Sequence, residues 1–247
     1  FDDNGNIKDN FEINGFVKQG KINLFDKYDL SNLDFIFFFN KDSLKIENFK
    51  LSINDKNFLL PKSKIKKSKD KFLISGILKN KKITLNKNEI EDLFGQYIFD
   101  TKINKIEFLS SNQFSFDLDK KFKLKNLRVN SDINLLELNA ENKEIKEIFT
   151  ELEQEIKFRN HKINLIYNKR TFDIDGSGDF FIKNKRDQIE YKIFKDKDTL
   201  DFKTYLKIKN NNFRINFLNF VKDDKSNLQL NIKGIKDSKK NILFKEI

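Results

Sequence analysis

Apolar and polar residues alternate with a period of two over most of this chain, and that pattern decides what it can fold into. Successive side chains of a strand point to opposite faces, so an alternating segment is a strand with one greasy and one wetted face. Leu33, Phe35, Phe37 and Phe39 alternate in this way, as do Phe114, Phe116 and Leu118. Phe172, Ile174, Gly176, Gly178, Phe180 and Ile182 form one long alternating stretch. Ile189, Tyr191 and Ile193 follow, then Leu200, Phe202, Thr204, Leu206 and Ile208. Phe213, Ile215 and Phe217 precede a last set at Leu228, Leu230 and Ile232. The positions between are largely Lys, Asp, Asn and Glu. The pattern predicts an all-β chain of roughly fifteen strands, far more than the 4–6 of a common sheet.

Two helices are expected. One runs from Asn88 to Phe94, with Asn88 as N-cap, Glu91 completing a capping box and Gly95 as the stop. The other runs from about Asn142 to Lys157, within a helical insertion of about 141–158. There Ile145, Ile148, Phe149, Leu152 and Ile156 line one face at helical spacing, as in a cap or plug on the sheet.

Weak repeats run through the chain, so residues 1–247 read as a single repeat-built β segment. Gly15 to Leu24 matches Gly76 to Leu85, and Gly234 to Lys236 leading to Ile242 to Phe244 is a looser copy. Each copy reads as a strand ending, a Lys-rich hairpin turn and a returning strand. A second motif pairs Ile46-Glu47-Asn48-Phe49-Lys50-Leu51 with Leu124-Lys125-Asn126-Leu127-Arg128-Val129. In it the alternation slips by one residue at Asn, the mark of a β-bulge that bends a strand and adds twist.

A sheet with one apolar face must cover that face. Two short helices are too few, so three solutions stay open: a closed barrel, a sandwich, or a trough that holds something apolar. The chain carries 28 Phe but one Ala, Ala140, and few Val. Fully burying one such ring is worth about 1.5–3 kcal/mol. Bulky Phe without small partners suits a wide trough better than a tight core. The expected architecture is an elongated, curled antiparallel sheet, a trough or groove built from repeated hairpins.

The chain begins with Phe1 and contains no Met, which reads as an internal piece of a longer protein. Its longest apolar run, Phe35 to Phe39, is far short of the ~20 residues that span a bilayer. With no Cys, disulfides and thiolate chemistry are excluded. The abundance of Lys, Asn, Ile and Phe is what an AT-rich genome favours, so part of the +11 charge follows base composition.

No motif points to catalysis or a cofactor. Asp173-Ile174-Asp175-Gly176-Ser177-Gly178-Asp179 fits the start of a calcium loop. Position 12 is Asn184, however, and strand alternation continues through the run, so it reads as a strand with a glycine bend. His161 is the only His, which excludes a multi-His metal site, and it reads as a surface or strand-edge residue. No nucleophile elbow, GxGxxG or phosphate loop occurs. Nucleic-acid binding is the rival raised by a pI of 9.4. Single-strand binders place aromatics and cations on one surface. Here alternation separates them, with Phe122 and Leu124 opposite Lys121, Lys123 and Lys125, and nucleic acid is not the expected partner. Lys62 to Lys71 is the one dense basic run, either a solvated hairpin or a contact for anionic lipid head groups.

Hairpins of the type Ser75-Gly76-Ile77-Leu78-Lys79 to Lys82-Ile83-Thr84-Leu85, and strands of the type Leu44 to Ile53, resemble the AsmA-like family of bacterial envelope proteins, the TamB and YhdP type. The resemblance is one of texture and covers most of the chain. It implies a periplasmic protein held to the inner membrane of a Gram-negative cell by an N-terminal helix outside this segment. It also implies a curled sheet whose hydrophobic groove moves phospholipid between the two membranes, with envelope or outer-membrane proteins as further partners. On this reading the chain is not an enzyme and needs no cofactor. Phospholipid or another acyl lipid is the partner, bound by the apolar face. The candidate lining is Phe35, Phe37, Phe39, Phe114, Phe116, Phe122, Leu124, Phe172, Ile174, Phe180, Ile182, Phe202, Phe213 and Phe217. The alternatives are a structural or adhesive envelope β-protein with a filled core, and a nucleic-acid-binding protein.

Overall fold

The structure is a computed structural model describing residues 5, 8, 10–24, 28–53, 55–94, 102–121, 123–141, 155–215, 219–223, 225–237 and 242–246. The elements in chain order are β1 (Glu12–Leu24), β2 (Tyr28–Asn40), β3 (Ser43–Ile53), β4 (Lys56–Ser68), β5 (Lys71–Asn86) and α1 (Lys87–Phe94). Then come β6 (Lys102–Asp119), β7 (Leu124–Glu141), β8 (Ile156–Asn168), β9 (Thr171–Ile182) and β10 (Lys185–Lys195). The last are β11 (Thr199–Ile208), β12 (Phe213–Ile215), β13 (Phe220–Lys222), β14 (Leu228–Asp237) and β15 (Ile242–Glu246).

The fold is all-β. Thirteen strands form one antiparallel sheet in chain order, β1 to β11 then β14 and β15, and the sheet does not close into a barrel. β12 and β13 pair apart from it. The order is a succession of hairpins, as alternation with short connections dictates. No helix among the described residues is long and apolar enough to cross a membrane. The chain divides into two compact units. The first holds Phe1–Lys81, Ser110–Ser131 and Tyr167–Lys169; the second holds Lys82–Leu109, Asp132–Ile166 and Arg170–Ile247.

The bulge motif is borne out and is more general than its two expected copies. Asn48 and Asn126 both adopt φ 54°, and the β2–β3 register shifts between Asp34 and Ile36, opposite Asn48. Asn32 (φ 54°) and Asn160 (φ 56°) repeat the pattern in Leu30-Ser31-Asn32-Leu33-Asp34-Phe35 and Phe158-Arg159-Asn160-His161-Lys162-Ile163. Gln19 (φ 52°) does so in β1, where the register shifts on either side of Gly20. The left-handed region costs most residues about 1–2 kcal/mol, and Asn tolerates it best after Gly. Pro61, the one proline, falls opposite Asn48 between the pairs Glu47↔Lys62 and Phe49↔Leu60. A residue with no N–H to give to a ladder fits such an irregular position.

Two repeats read as hairpins are single strands. Gly15 to Leu24 lies inside β1 and Gly76 to Leu85 inside β5, so their Lys-rich centres continue the strand. The one Asn in those centres, Asn80, closes no turn: its Oδ1 accepts from the Ser110 hydroxyl of β6. Elsewhere in this chain Asn and Asp side chains do close turns. At the β2–β3 turn, Asn40 Oδ1 accepts from the backbone N–H of Asp42 (3.1 Å) and Ser43 (2.8 Å). At the β10–β11 turn, Asp196 Oδ1 accepts from Asp198 N (2.9 Å) and Thr199 N (2.8 Å). The third copy does turn, since β14 and β15 pair antiparallel with Ile235 opposite Leu243.

The first expected helix forms, but its cap lies two residues earlier. Asn86 Oδ1 accepts from Glu89 N at 3.1 Å, and Glu89 Oε2 accepts from Asn86 N at 2.8 Å. This reciprocal box leaves Asn88 inside the helix. Gly95, its expected stop, lies outside the described residues. Of the second expected helix, residues 142–154 lie outside them too, while Ile156 and Lys157 open β8.

The second unit has a closed core. Ala140, Ile156, Phe180, Ile182, Leu206, Ile208 and Phe213 are buried against one another. A polar seal lies beside it. Buried Asp187 accepts from the backbone N–H of Lys209 (2.7 Å), Asn210 (3.0 Å) and Asn211 (3.1 Å). The buried ammonium of Lys222 donates to the carbonyls of Lys209 (3.1 Å) and Asn211 (3.0 Å). Burying these charges is tolerable only because each is hydrogen-bonded. The seal ties β13 and residues 209–211 to β10, and Phe213 of β12 packs into the core beside it.

Candidate functional site

The apolar face of the first unit is built by cross-strand register. Directly opposed residues of an antiparallel pair share a face. One row therefore runs Ile13, Phe39, Leu44, Ile65, Ile74 across β1 to β5. The next runs Gly15, Phe37, Ile46, Ser63, Gly76. Both glycines leave room for a ring. A Cβ on Gly15 would stand 2.8 Å from the Phe37 ring, and one on Gly76 would stand 2.9 Å from Phe114. Phe114 and Phe116 stack at 6.0 Å, and Phe35 meets Phe49 edge-on at 5.0 Å. Such pairs add about 0.5–1.5 kcal/mol beyond their burial.

This face is not covered as a core is. Among the described residues of the first unit, Leu33 and Leu51 are the only hydrophobic side chains that are fully buried, whereas the second unit holds all the others. Ile13 and Phe39, neighbours in one row, stay 50% and 40% exposed. A cavity of about 460 Å³ opens on the face, with Phe39, Leu44, Ile65, Phe72, Ile74 and Leu118 as its apolar walls. Lys41, Asp42 and Lys67 stand at its rim. That size lies within the range of small-molecule sites, about 300–1,000 Å³.

The candidate lining residues are distributed unevenly. Phe35, Phe37, Phe39, Phe114 and Phe116 come together on the open face of the first unit. Leu124 stands exposed at the start of β7. In the second unit Phe172, Ile174 and Phe202 are half-buried, and Ile174, Ile193 and Phe202 form one cross-strand row. Phe180, Ile182 and Phe213 are packed inside the closed core, where neighbouring side chains already occupy the space against them. Phe122 and Phe217 lie outside the described residues. Alternation around Phe37 did not bring in Leu44, Ile65, Phe72 and Ile74. The signal of Ile65 is hidden among the lysines of residues 62–71, Phe72 and Ile74 lie just past that run, and Leu44 belongs to a separate strand segment.

Two further readings are corrected. The Asp173 to Asp179 run is part of a regular strand, with β9 and β10 in unbroken register from Ile182↔Lys185 to Phe172↔Lys195. Its glycines supply space instead of a bend: a Cβ on Gly178 would stand 2.2 Å from His161 Cδ2. Two of its carboxylates pair across strands, Asp175 with Lys192 at 2.6 Å and Asp179 with Arg186 at 2.9 Å. His161 is buried, not on the surface, at 2% exposure. The bulge at Asn160 shifts the alternation of β8 by one and turns the ring inward. Its Nε2 lies 3.0 Å from the Asp179 carbonyl, which only accepts, so Nε2 carries the hydrogen. Nδ1 then accepts from the Tyr191 hydroxyl at 3.3 Å. Burial holds the His161 pKa below its usual value and pushes Tyr191 up to about 12.

On the polar face of the second unit, charges alternate in a ladder: Lys82–Glu107 (2.7 Å), Lys105–Glu137 (3.1 Å) and Arg159–Glu137 (3.0 Å). Burial pushes the Glu137 carboxyl up, but Lys105 and Arg159 together carry it below its ordinary value. Every cation here has a close carboxylate, as in a structural network.

No protein-family model, no curated protein and no solved structure matches this chain.

Proposed function

We propose that this chain is a non-enzymatic lipid-transfer segment, with acyl chains lying on the open apolar face of the first unit and head groups in water at its edge. What supports the reading is the uncovered row Ile13, Phe39, Leu44, Ile65, Ile74, with its adjoining apolar cavity and Lys67 at the rim. Each methylene kept from water there is worth about 0.8 kcal/mol. A lining without strong polar anchors keeps the barrier between successive positions low, so a chain can slide. A periplasmic site between the inner and outer membranes, and an AsmA-like ancestry, are parts of the same proposal.

Native mass spectrometry of the purified chain tests it. Copurifying phospholipid, reduced in Phe37→Glu protein that keeps its far-UV circular dichroism, is the expected result. A lipid-free chain that takes up no added phospholipid would overturn it. The second reading, a structural envelope β-protein, is favoured by the closed core of the second unit around Phe180, Ile182 and Ile208. It predicts that Phe37→Glu leaves function intact.

A further inference from the structure

The face of the first unit opposite the groove is not uniformly polar. The run from Phe35 to Phe39 is apolar at every position, so Ile36 and Phe38 must lie on the other side of β2. Register places them in two rows, Phe16–Ile36–Glu47–Lys62 and Asn14–Phe38–Lys45–Lys64–Ser75. A third row carries Ser43, Lys66 and Leu73. Phe16, Ile36 and Phe38 are 70%, 42% and 43% exposed. They form a contiguous apolar patch bordered along β3 and β4 by Lys45, Lys62 and Lys64, with Glu47, opposite Ile36, as the one carboxylate in these rows.

The lysine border deepens into a basic concavity. Lys64, Lys66, Arg128 and Lys169 line a hollow of about 630 Å³ with Leu73 and Ser75. Its one carboxylate, Asp117, already accepts from Lys71 and Asn126, both at 2.8 Å. Those bonds, with Arg128 near, hold its pKa below the usual value. Among the described residues, Lys62, Lys64, Lys66 and Lys169 make no ion pair. This differs from the ladder of the second unit, where each cation has a carboxylate.

We propose that this face docks on a membrane surface that carries anionic phospholipid, with Phe16, Ile36 and Phe38 entering the head-group layer and Lys62, Lys64, Lys66 and Arg128 meeting lipid phosphates. Apolar side chains ringed by cations are what an interfacial contact needs. Lysines near an anionic leaflet each contribute about 1 kcal/mol, roughly fivefold in affinity. On this face Phe16 and Phe38 do share a surface with lysines, unlike the separation that alternation gives elsewhere. Ile36 between them and Leu73 are aliphatic, however, so the patch is not a continuous stacking platform and a membrane fits it better than a single-stranded nucleic acid does. The proposal uses the side of the sheet opposite the groove and stands whether or not the groove carries lipid.

Cosedimentation with vesicles tests it. The full chain is expected to bind phosphatidylcholine vesicles in which phosphatidylglycerol is roughly a third of the lipid, and to bind pure phosphatidylcholine far more weakly. Binding should fall as salt shortens the screening length. Lys64→Gln with Lys66→Gln should weaken it about 25-fold, at fivefold per lysine. Phe38→Ser with Phe16→Ser should weaken it at every salt concentration. Circular dichroism confirms that these surface variants fold. Copurified lipid in native mass spectra should be unchanged by the lysine pair, which separates this result from that of the groove. Equal binding to both vesicle types, no binding at low salt, or tighter binding to a single-stranded oligonucleotide than to the anionic vesicles would each overturn it.

Discussion

Gly178→Ala tests how the buried part of the second unit is built. The new methyl would stand 2.2 Å from His161 Cδ2, 2.4 Å from Cγ and 2.8 Å from Cα. Real atoms do not approach so closely, so the ring or the β8 backbone must move. The ring is not free to swing. Nε2 and Nδ1 are both hydrogen-bonded, and Phe158 lies edge-on with its centroid 5.6 Å away. Overpacking costs about 1–3 kcal/mol, and losing one or both bonds adds about 1 kcal/mol, giving about 2–4 kcal/mol in all. The assay is urea unfolding followed by far-UV circular dichroism. With a slope of about 1–3 kcal/mol per molar urea, the midpoint should drop by roughly 1–2 M. His161→Ala in the same chain should recover the part of the loss due to the ring, a coupling that a double-mutant cycle isolates. A loss below about 0.5 kcal/mol, the size of an ordinary surface substitution, would refute the claim that Gly178 exists to seat His161.

Other outcomes follow from the same geometry. Asn48→Gly should leave stability within about 0.5 kcal/mol, whereas Asn48→Val should cost about 1–2 kcal/mol in urea unfolding, because φ 54° suits Gly and strains a β-branched residue. The chain should lose stability as pH falls below 6.5, the unfolded value for His161, because its folded pKa is lower. The unfolded state then binds the proton that the folded state refuses, so the stabilisation is complete above the unfolded pKa and is lost on going down through the folded one. His161→Gln should flatten that part of a pH series of unfolding midpoints. At lower pH the carboxylates of Asp196 and Asp223 extend the loss. Backbone N–H groups of Thr199 and Asp198 lower the first, and the Ser226 hydroxyl with the Lys225 N–H lowers the second, so both favour the fold until they protonate.

Much of this was legible in the sequence, for identifiable reasons. Alternation is a one-dimensional record of a strand's two faces, so the all-β fold and the shared face of Phe35, Phe37 and Phe39 could be read directly. The bulges at Asn48 and Asn126 were legible because a slip in alternation coincides with a residue that tolerates positive φ. The same signal was present at Asn160, and applying it there would have turned His161 inward. The helix cap was misplaced because Asn86…Glu89 and Asn88…Glu91 have the same spacing, and only the hydrogen bonds choose between them. Which unit has a closed core was not legible. Phe37 and Phe180 look alike in sequence, and the difference comes from β12, β13 and the Asp187–Lys222 seal, which act across strands far apart in the chain. The apolar patch on the other face was present as Ile36 and Phe38, but an unbroken apolar run hides its second face.

The central claim is that the open face of the first unit, and not the core of the second, holds acyl chains. Photocrosslinking with a diazirine-bearing fatty acid, mapped by peptide mass spectrometry, tests it directly. The account predicts adducts on Phe39, Leu44, Ile65 and Ile74, lost on competition with phospholipid. Adducts on Ile182, Ile208 and Phe213 instead, or none that phospholipid displaces, would contradict it.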